Sequence, residues 1–245
     1  MLKKLVRSVL PRTVLHRRTL SREPVEPELR FLLSSGRGGL FIDVGANVGV
    51  WSHHAAGSFP EVHCFEPDAE LAGRLPKVLP QNVTVHAVAL SDHEGSARLG
   101  TPVLDGRPTV SRASLEANAN GGAPETSQTV ALRRLDDYGF HNVGAIKIDV
   151  EGHEAAVLEG AWETIEREKP LLVVEIEERH HPGRSEALIQ RIVARGYVAH
   201  YWKDGLRPFQ PGTINELQKN LPLRVGIKAP DYINNFIFMP EAWPR

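Results

Sequence analysis

This chain of 245 residues has a single cysteine, Cys64, and no apolar run approaching the length of a bilayer span. Its 29 Lys and Arg nearly balance its 30 Asp and Glu. One thiol excludes a disulfide within the chain and is compatible with a reducing compartment. Cys64 lies in an apolar segment, so it is expected to be packed and inert. No segment is long enough to cross a membrane as an apolar helix. Internal repeats are lacking too, which argues against a solenoid. Without a strong basic excess, no nucleic-acid partner is expected.

With 41% hydrophobic residues, the chain can bury a full core, and one domain over residues 36–245 is the simplest division. Ahead of it lies a basic amphipathic extension, residues 1–35. Residues 1–22 hold seven Lys and Arg and no acid, which leaves 22 basic against 30 acidic side chains in the rest. Leu2, Leu5, Val6, Val9 and Leu10 share one helical face before Pro11. That pattern suits peripheral contact with anionic lipid, and a solvated or docked terminal helix is the alternative. Charge interrupts the apolar stretch and no small-residue cleavage site follows, so the segment does not read as a secretory signal; an organellar presequence stays open. The expected location is cytoplasmic, with room for contact with the inner face of a membrane.

From residue 40 onward strand and helix patterns alternate, which predicts a mostly parallel sheet with helices on both faces. Strands are expected at 40–44, 61–65, 83–90, 145–150 and 171–176, with helices at 48–56, 68–78, 154–167 and 185–194. A terminal strand pair is expected at 197–202 and 233–239. Residues 91–130 and 203–231 break the rhythm. The first is expected to hold a short strand pair and then a polar stretch, 111–128; the second carries Pro208, Pro211, Pro222 and Pro230. Both begin at carboxyl ends of strands, so they are expected to wall or cover an acceptor site.

The most informative turn follows the first strand. Residues 43–49 read D-V-G-A-N-V-G, and Glu66 lies 23 residues beyond Asp43, at the end of the next strand. A tight turn followed by an acid is the layout of a nucleoside site in a doubly wound sheet. A dinucleotide site would need G-x-G-x-x-G so that bare backbone can approach a pyrophosphate. Here Asp43 and Asn47 occupy that space, where a carboxylate repels phosphate and attracts a cation. S-adenosylmethionine offers a ribose, an ammonium and a sulfonium, and no phosphate. That argues for it as cofactor and against an NAD-dependent oxidoreductase.

The fourth strand ends in K-I-D-V-E-G, residues 147–152, where alternation puts Lys147, Asp149 and Glu151 on one face. Charges this dense on a central strand are expected to face a ligand; the structural alternative pairs Lys147 with an acid on a neighbouring strand. His153, Glu151 and Asp149 are the candidate catalytic residues, His153 and Glu151 as bases. A divalent cation held by Asp149, Glu151 and Glu175 would be another way to acidify a hydroxyl, but no metal is expected. His180 and His181 are expected to be exposed at a helix entry. The N/D-P-P-aromatic run usual in amino-group methylation of nucleic acids is absent after the fourth strand.

Taken in order, residues 43–49, F-E-P at 65–67, A-L-S-D at 89–92, K-I-D-V-E-G at 147–152, Glu175 and the closing N-F-I-F at 235–238 resemble the FkbM family of S-adenosylmethionine-dependent methyltransferases. The resemblance implies a Rossmann-like class I methyltransferase fold, α/β, with seven strands of which the last is antiparallel. It implies methyl transfer to the hydroxyl of a small-molecule or glycan acceptor, such as a sugar, glycolipid or polyketide-type natural product. By position, Asp43, Gly45, Asn47 and Gly49 would hold the methionine end and Glu66 the ribose hydroxyls. Ser91 and Asp92 would lie near adenine, and Asp149 beneath the sulfonium. A catalytically silent nucleoside-binding module of the same fold is the alternative.

Overall fold

The computed structural model describes residues 16, 20, 25–35, 38–104, 106–117, 119–219 and 232–243. The proposed lipid-facing helix of residues 1–22 therefore lies outside the described residues, apart from His16 and Leu20. No helix among the described residues is long and apolar enough to cross a membrane.

The central sheet is built from β1 (Leu40–Val44), β2 (Glu61–Phe65), β3 (Val83–His86), β8 (Val143–Ile148), β9 (Leu171–Glu175), β10 (Tyr197–Trp202), β11 (Leu206–Pro208) and β12 (Asn235–Pro240). Their spatial order is β11-β10-β12-β9-β8-β1-β2-β3. The five strands from β3 to β9 are parallel, and β12 enters antiparallel between β9 and β10. This is the class I methyltransferase arrangement with one addition. The expected seven strands are eight, because β11 folds back on β10 as an edge hairpin.

Strand periodicity divides the core into two layers. Ile42, Val44, Ile146, Ile148, Leu172, Val174, Phe236 and Phe238 point to one face. There they meet α4 (Glu154–Glu159), α5 (Trp162–Glu168) and α6 (Ser185–Val193) through Val157, Leu158, Ile165, Leu188, Ile189 and Ile192. Phe41, Ala145, Leu171, Val173 and Ile237 point the other way, onto α1 (Pro27–Ser34) and α2 (Val50–Ala55). Leu29 and Leu32 of α1 are fully buried in that second layer. The division expected at residue 35 therefore does not separate a detached tail, because α1 covers one face of the sheet. Leu20 packs with Ala46, Cys64, Leu75, Val78 and Leu79. Cys64 is buried, as expected, and burial together with the nearby Asp43 pushes its thiol up to about 12.

Several expected elements are shorter or broken. The helix expected at 68–78 is α3 (Ala69–Ala72) followed by a 3₁₀ turn at Leu75–Lys77, where Pro76 prevents continuation. The helix expected at 154–167 splits at Gly160. A Cβ there would lie 2.0 Å from the Ser91 carbonyl oxygen, so the break admits another segment's backbone. The strand expected at 83–90 leaves the central sheet after His86. Its last two residues, β4 (Ala89–Leu90), join a second sheet with β7 (Glu125–Arg133), β5 (Gly95–Leu104) and β6 (Arg107–Pro108), in the order β4-β7-β5-β6. The 91–130 insertion is thus mainly a long antiparallel β5–β7 ribbon. Residues 105–124 connect the two strands, with β6 inside that connection, and Glu125 already lies in a strand.

Candidate functional site

The carboxyl ends of β1, β2, β8 and β9 open onto a cavity of about 400 Å³. Its floor is the turn after β1. Gly45 and Ala46 donate from their backbone N–H groups to the Phe65 carbonyl, each at 3.0 Å, which ties the turn to the end of β2. Gly45 has φ 76°, and a Cβ on it would fall 1.9 Å from the Asp149 carbonyl oxygen. Only glycine lets β1 and β8 converge there. Asn47 is also left-handed, at φ 51°. Its N–H donates to Glu66 Oε2 at 2.7 Å, and the Asp68 N–H donates to Oε1 at 2.8 Å. Glu66 is thus held in place by backbone, with lone pairs left for further donors. Burial raises its pKa to about 7, although those two hydrogen bonds favour the ionised form.

Asp43 has a different part from the one expected. It is fully buried, does not line the cavity, and sits one layer beneath it. Its Oδ2 accepts from the Ser52 N–H at 3.1 Å and the Ser52 hydroxyl at 2.6 Å, while Oδ1 faces Lys147 Nζ at 3.4 Å. Lys147 donates to the Gly45 carbonyl at 2.7 Å and the Val44 carbonyl at 3.3 Å, and lies 3.5 Å from Asp149 Oδ2. Lys147 thus pairs with an acid on the neighbouring strand, as the structural alternative has it, and it also lines the cavity, as the ligand-facing reading has it. Burial acts to lower the lysine pKa, but Asp149, Asp43, Glu175 and Glu26 outweigh it and raise the group above the usual lysine range. Gly49 also lies outside the lining. At φ 84°, it precedes α2, and a Cβ there would meet Leu75 and Leu79.

Asp149, Glu151, His153 and Glu175 do line the cavity. The turn that presents them is strained, with Glu151 at φ 53° and Gly152 at φ 108°. Buried Glu154 holds it, since its Oε1 accepts from the Val150 and Gly152 N–H groups at 3.1 and 3.0 Å. Its Oε2 lies 2.8 Å from His181 Nε2. His180 and His181, expected at the surface, are both largely buried and each meets a carboxylate, because the chain after β9 folds back beneath the turn. Glu151 Oε2 is met by Arg179 Nη2 at 3.0 Å and His180 Nε2 at 3.1 Å. Burial, then the charges of Asp149 and Glu151, keep the Glu175 pKa well above the ordinary carboxylate value, and its neutral form bonds to Asp149.

Asp149, Glu151 and Glu175 each bring an oxygen within 4.8 Å of the others, a spacing a hard cation would accept. Lys147 and Arg179 already supply positive charge to that group.

His153 reaches the cavity, but both ring nitrogens are engaged. Nε2 lies 2.9 Å from the Ser91 hydroxyl and Nδ1 2.7 Å from Glu116 Oε1. Ser114 Oγ donates to the Glu151 carbonyl at 2.7 Å. Together these contacts fasten residues 110–122 of the connection over the site, which gives His153 a positioning geometry. Ser91 and Asp92 do not line the cavity. Ser91 is buried behind it, and the wall is made by Val88, Ala89 and Leu90 with Leu99 and Leu115 of the insertion. Described residues of the 203–219 segment do not reach the cavity. Gln218 instead secures the end of β9 by donating to the Ile176 carbonyl at 2.6 Å.

Sequence reading missed Glu26, Trp51, Leu99, Glu116 and Glu154. Glu154 had a local signal, an acid following a glycine-bearing turn. Trp51 directly follows the glycine turn, and Glu26, Leu99 and Glu116 reach the site from distant segments.

A family model, the methyltransferase FkbM domain, matches residues 43–199. No curated protein matches the sequence. Among solved structures, the FkbM methyltransferase from Methylobacillus flagellatus KT is 16% identical with a TM-score of 0.49. The match covers 93% of this chain and spans 59% of that protein's length. An O-methyltransferase from Bacillus cereus in complex with SAH is 11% identical with a TM-score of 0.45, covering 96% of this chain and 94% of that one. An rRNA methylase from Streptococcus thermophilus is 13% identical with a TM-score of 0.43, covering 89% and 95%. Likeness this distant adds nothing to the family match, which extends over most of the chain and includes the turn after β1, Glu66 and the β8 terminus. The chain belongs to the methyltransferase FkbM domain family.

Proposed function

We propose that this protein transfers a methyl group from S-adenosylmethionine to a hydroxyl oxygen of a sugar, glycolipid or natural-product acceptor. The observation that carries the reading is the placement of Glu66. Its carboxylate is fixed by two backbone donors at the cavity edge, where it can accept from a ribose diol. The other cavity residues fit the rest of that cofactor. Leu90, Leu99 and Leu115 offer an apolar slot for adenine, and Asp149 places negative charge where a sulfonium would lie. A phosphate would meet carboxylates instead of an open glycine turn, which speaks against a dinucleotide.

The bound donor supplies a methyl carbon already activated by positive sulfur. The protein's main task is to align an acceptor oxygen with it, and alignment alone can contribute about 7–11 kcal/mol. The hydroxyl proton passes to a carboxylate of the Asp149, Glu151 and Glu175 group. Asp149 and Glu175 interact closely, and burial together with that neighbouring charge raises the proton affinity of Glu175. His153 supports the site from the side by holding the insertion. In the test, the purified protein is incubated with methyl-labelled donor and a panel of hydroxylated glycans and polyketide-like alcohols. Label on a hydroxyl oxygen supports the proposal. Label on nitrogen acceptors alone overturns the oxygen assignment, and binding without transfer to any acceptor favours the silent module.

A further inference from the structure

We propose that Glu26 receives the ammonium of the donor's methionine moiety, so that the segment entering α1 forms one wall of the donor pocket. This rests on the donor reading above. Glu26 lies outside the family-matched residues, yet it lines the cavity beside Gly45, Val48 and Trp51. Through Trp51 it stands against the first turn of α2, the helix that follows the glycine turn expected to hold the methionine end.

Its position is built. Pro27 starts α1 immediately after it, and the Arg30 N–H donates to the Glu26 carbonyl at 3.0 Å. The indole Nε1 of Trp51 donates to Glu26 Oε2 at 3.0 Å, anchoring the carboxylate on the first turn of α2. Full burial of Leu29 and Leu32 against the sheet keeps α1 from drifting. The remaining cavity carboxylates have other positions. Glu66 is at the ribose position, Asp149 faces Lys147, Glu151 meets Arg179 and His180, and Glu175 accepts from Asn234. A carboxylate on the methionine side, anchored by the Trp51 indole and electrostatically coupled to Lys147, is suited to a primary ammonium through a charge-assisted hydrogen bond.

The test compares two probes on the full chain by calorimetry. S-adenosylhomocysteine carries the amino-acid tail; 5′-methylthioadenosine has the same nucleoside and thioether without it. Glu26→Gln keeps the side-chain shape and an acceptor for Trp51. It is expected to weaken S-adenosylhomocysteine at least tenfold and leave 5′-methylthioadenosine unchanged, the latter also certifying an intact fold. Equal loss for both probes, or no loss for either, overturns the ammonium role while the pocket stands. If the unmodified protein binds neither probe, the donor reading and this inference fall together.

Discussion

At Asp43 the effect of losing a charge depends on what remains around it. Asp43→Ala would leave Lys147 buried with Asp149 as its nearest acid and would remove both contacts to Ser52. Breaking one side of a buried pair typically costs about 3–5 kcal/mol, so urea unfolding should show a loss of that order. A variant of unchanged stability would return Asp43 to the ligand-facing role expected from its motif. Glu66 is buried too, but at the cavity wall, and its signature is pH dependence. The unfolded chain releases this proton near 4.5, whereas the folded protein keeps it to about 7. The stability from its neutral form is therefore complete below 4.5 and is lost as pH rises through 7, by up to about 3 kcal/mol. Unfolding measured between pH 5 and 8 should fall less steeply in Glu66→Gln than in the unmodified protein. Affinity for a ribose diol should run the other way, tightening as Glu66 ionises. Parallel profiles for the two proteins would count against a buried, titrating Glu66.

Among the elements, the β1 turn and the β8 terminus were legible because their chemistry is local. Gly45 takes the left-handed backbone that a tight turn needs, and Glu66 follows at the next strand end. The insertion was not legible in the same way. β5 pairs with β7 across a connection of some twenty residues whose polar composition hides how it docks. Glu116 and Ser114 become site residues only through His153 and the Glu151 carbonyl. Histidine at residue 153 was read as a base, but its two nitrogens are already occupied. His153→Ala is therefore expected to weaken donor affinity about tenfold and speed proteolysis within residues 110–122. The shape of the kcat–pH profile should stay the same. Loss of one limb of that profile with donor affinity intact would restore the base assignment.

Over the whole molecule, alternating strand and helix patterns were enough to anticipate a mostly parallel sheet covered on both faces and its antiparallel closing strand. They could not reveal that α1 belongs to the covering layer. Eight residues with Leu29 and Leu32 inward resemble any short amphipathic helix until the sheet face is placed against them. For the same reason Glu26 had no signal in sequence, since its meaning comes from Trp51 and the cavity beside it. The cavity thus draws on segments from residue 26 to residue 175, and the donor pocket proposed there is a property of the assembled domain. The measurement that tests it most directly is calorimetric titration of the intact protein with S-adenosylhomocysteine, with NAD run in parallel. The pocket chemistry predicts micromolar binding of S-adenosylhomocysteine and no heat from NAD. Binding of NAD, or silence toward both, would contradict it.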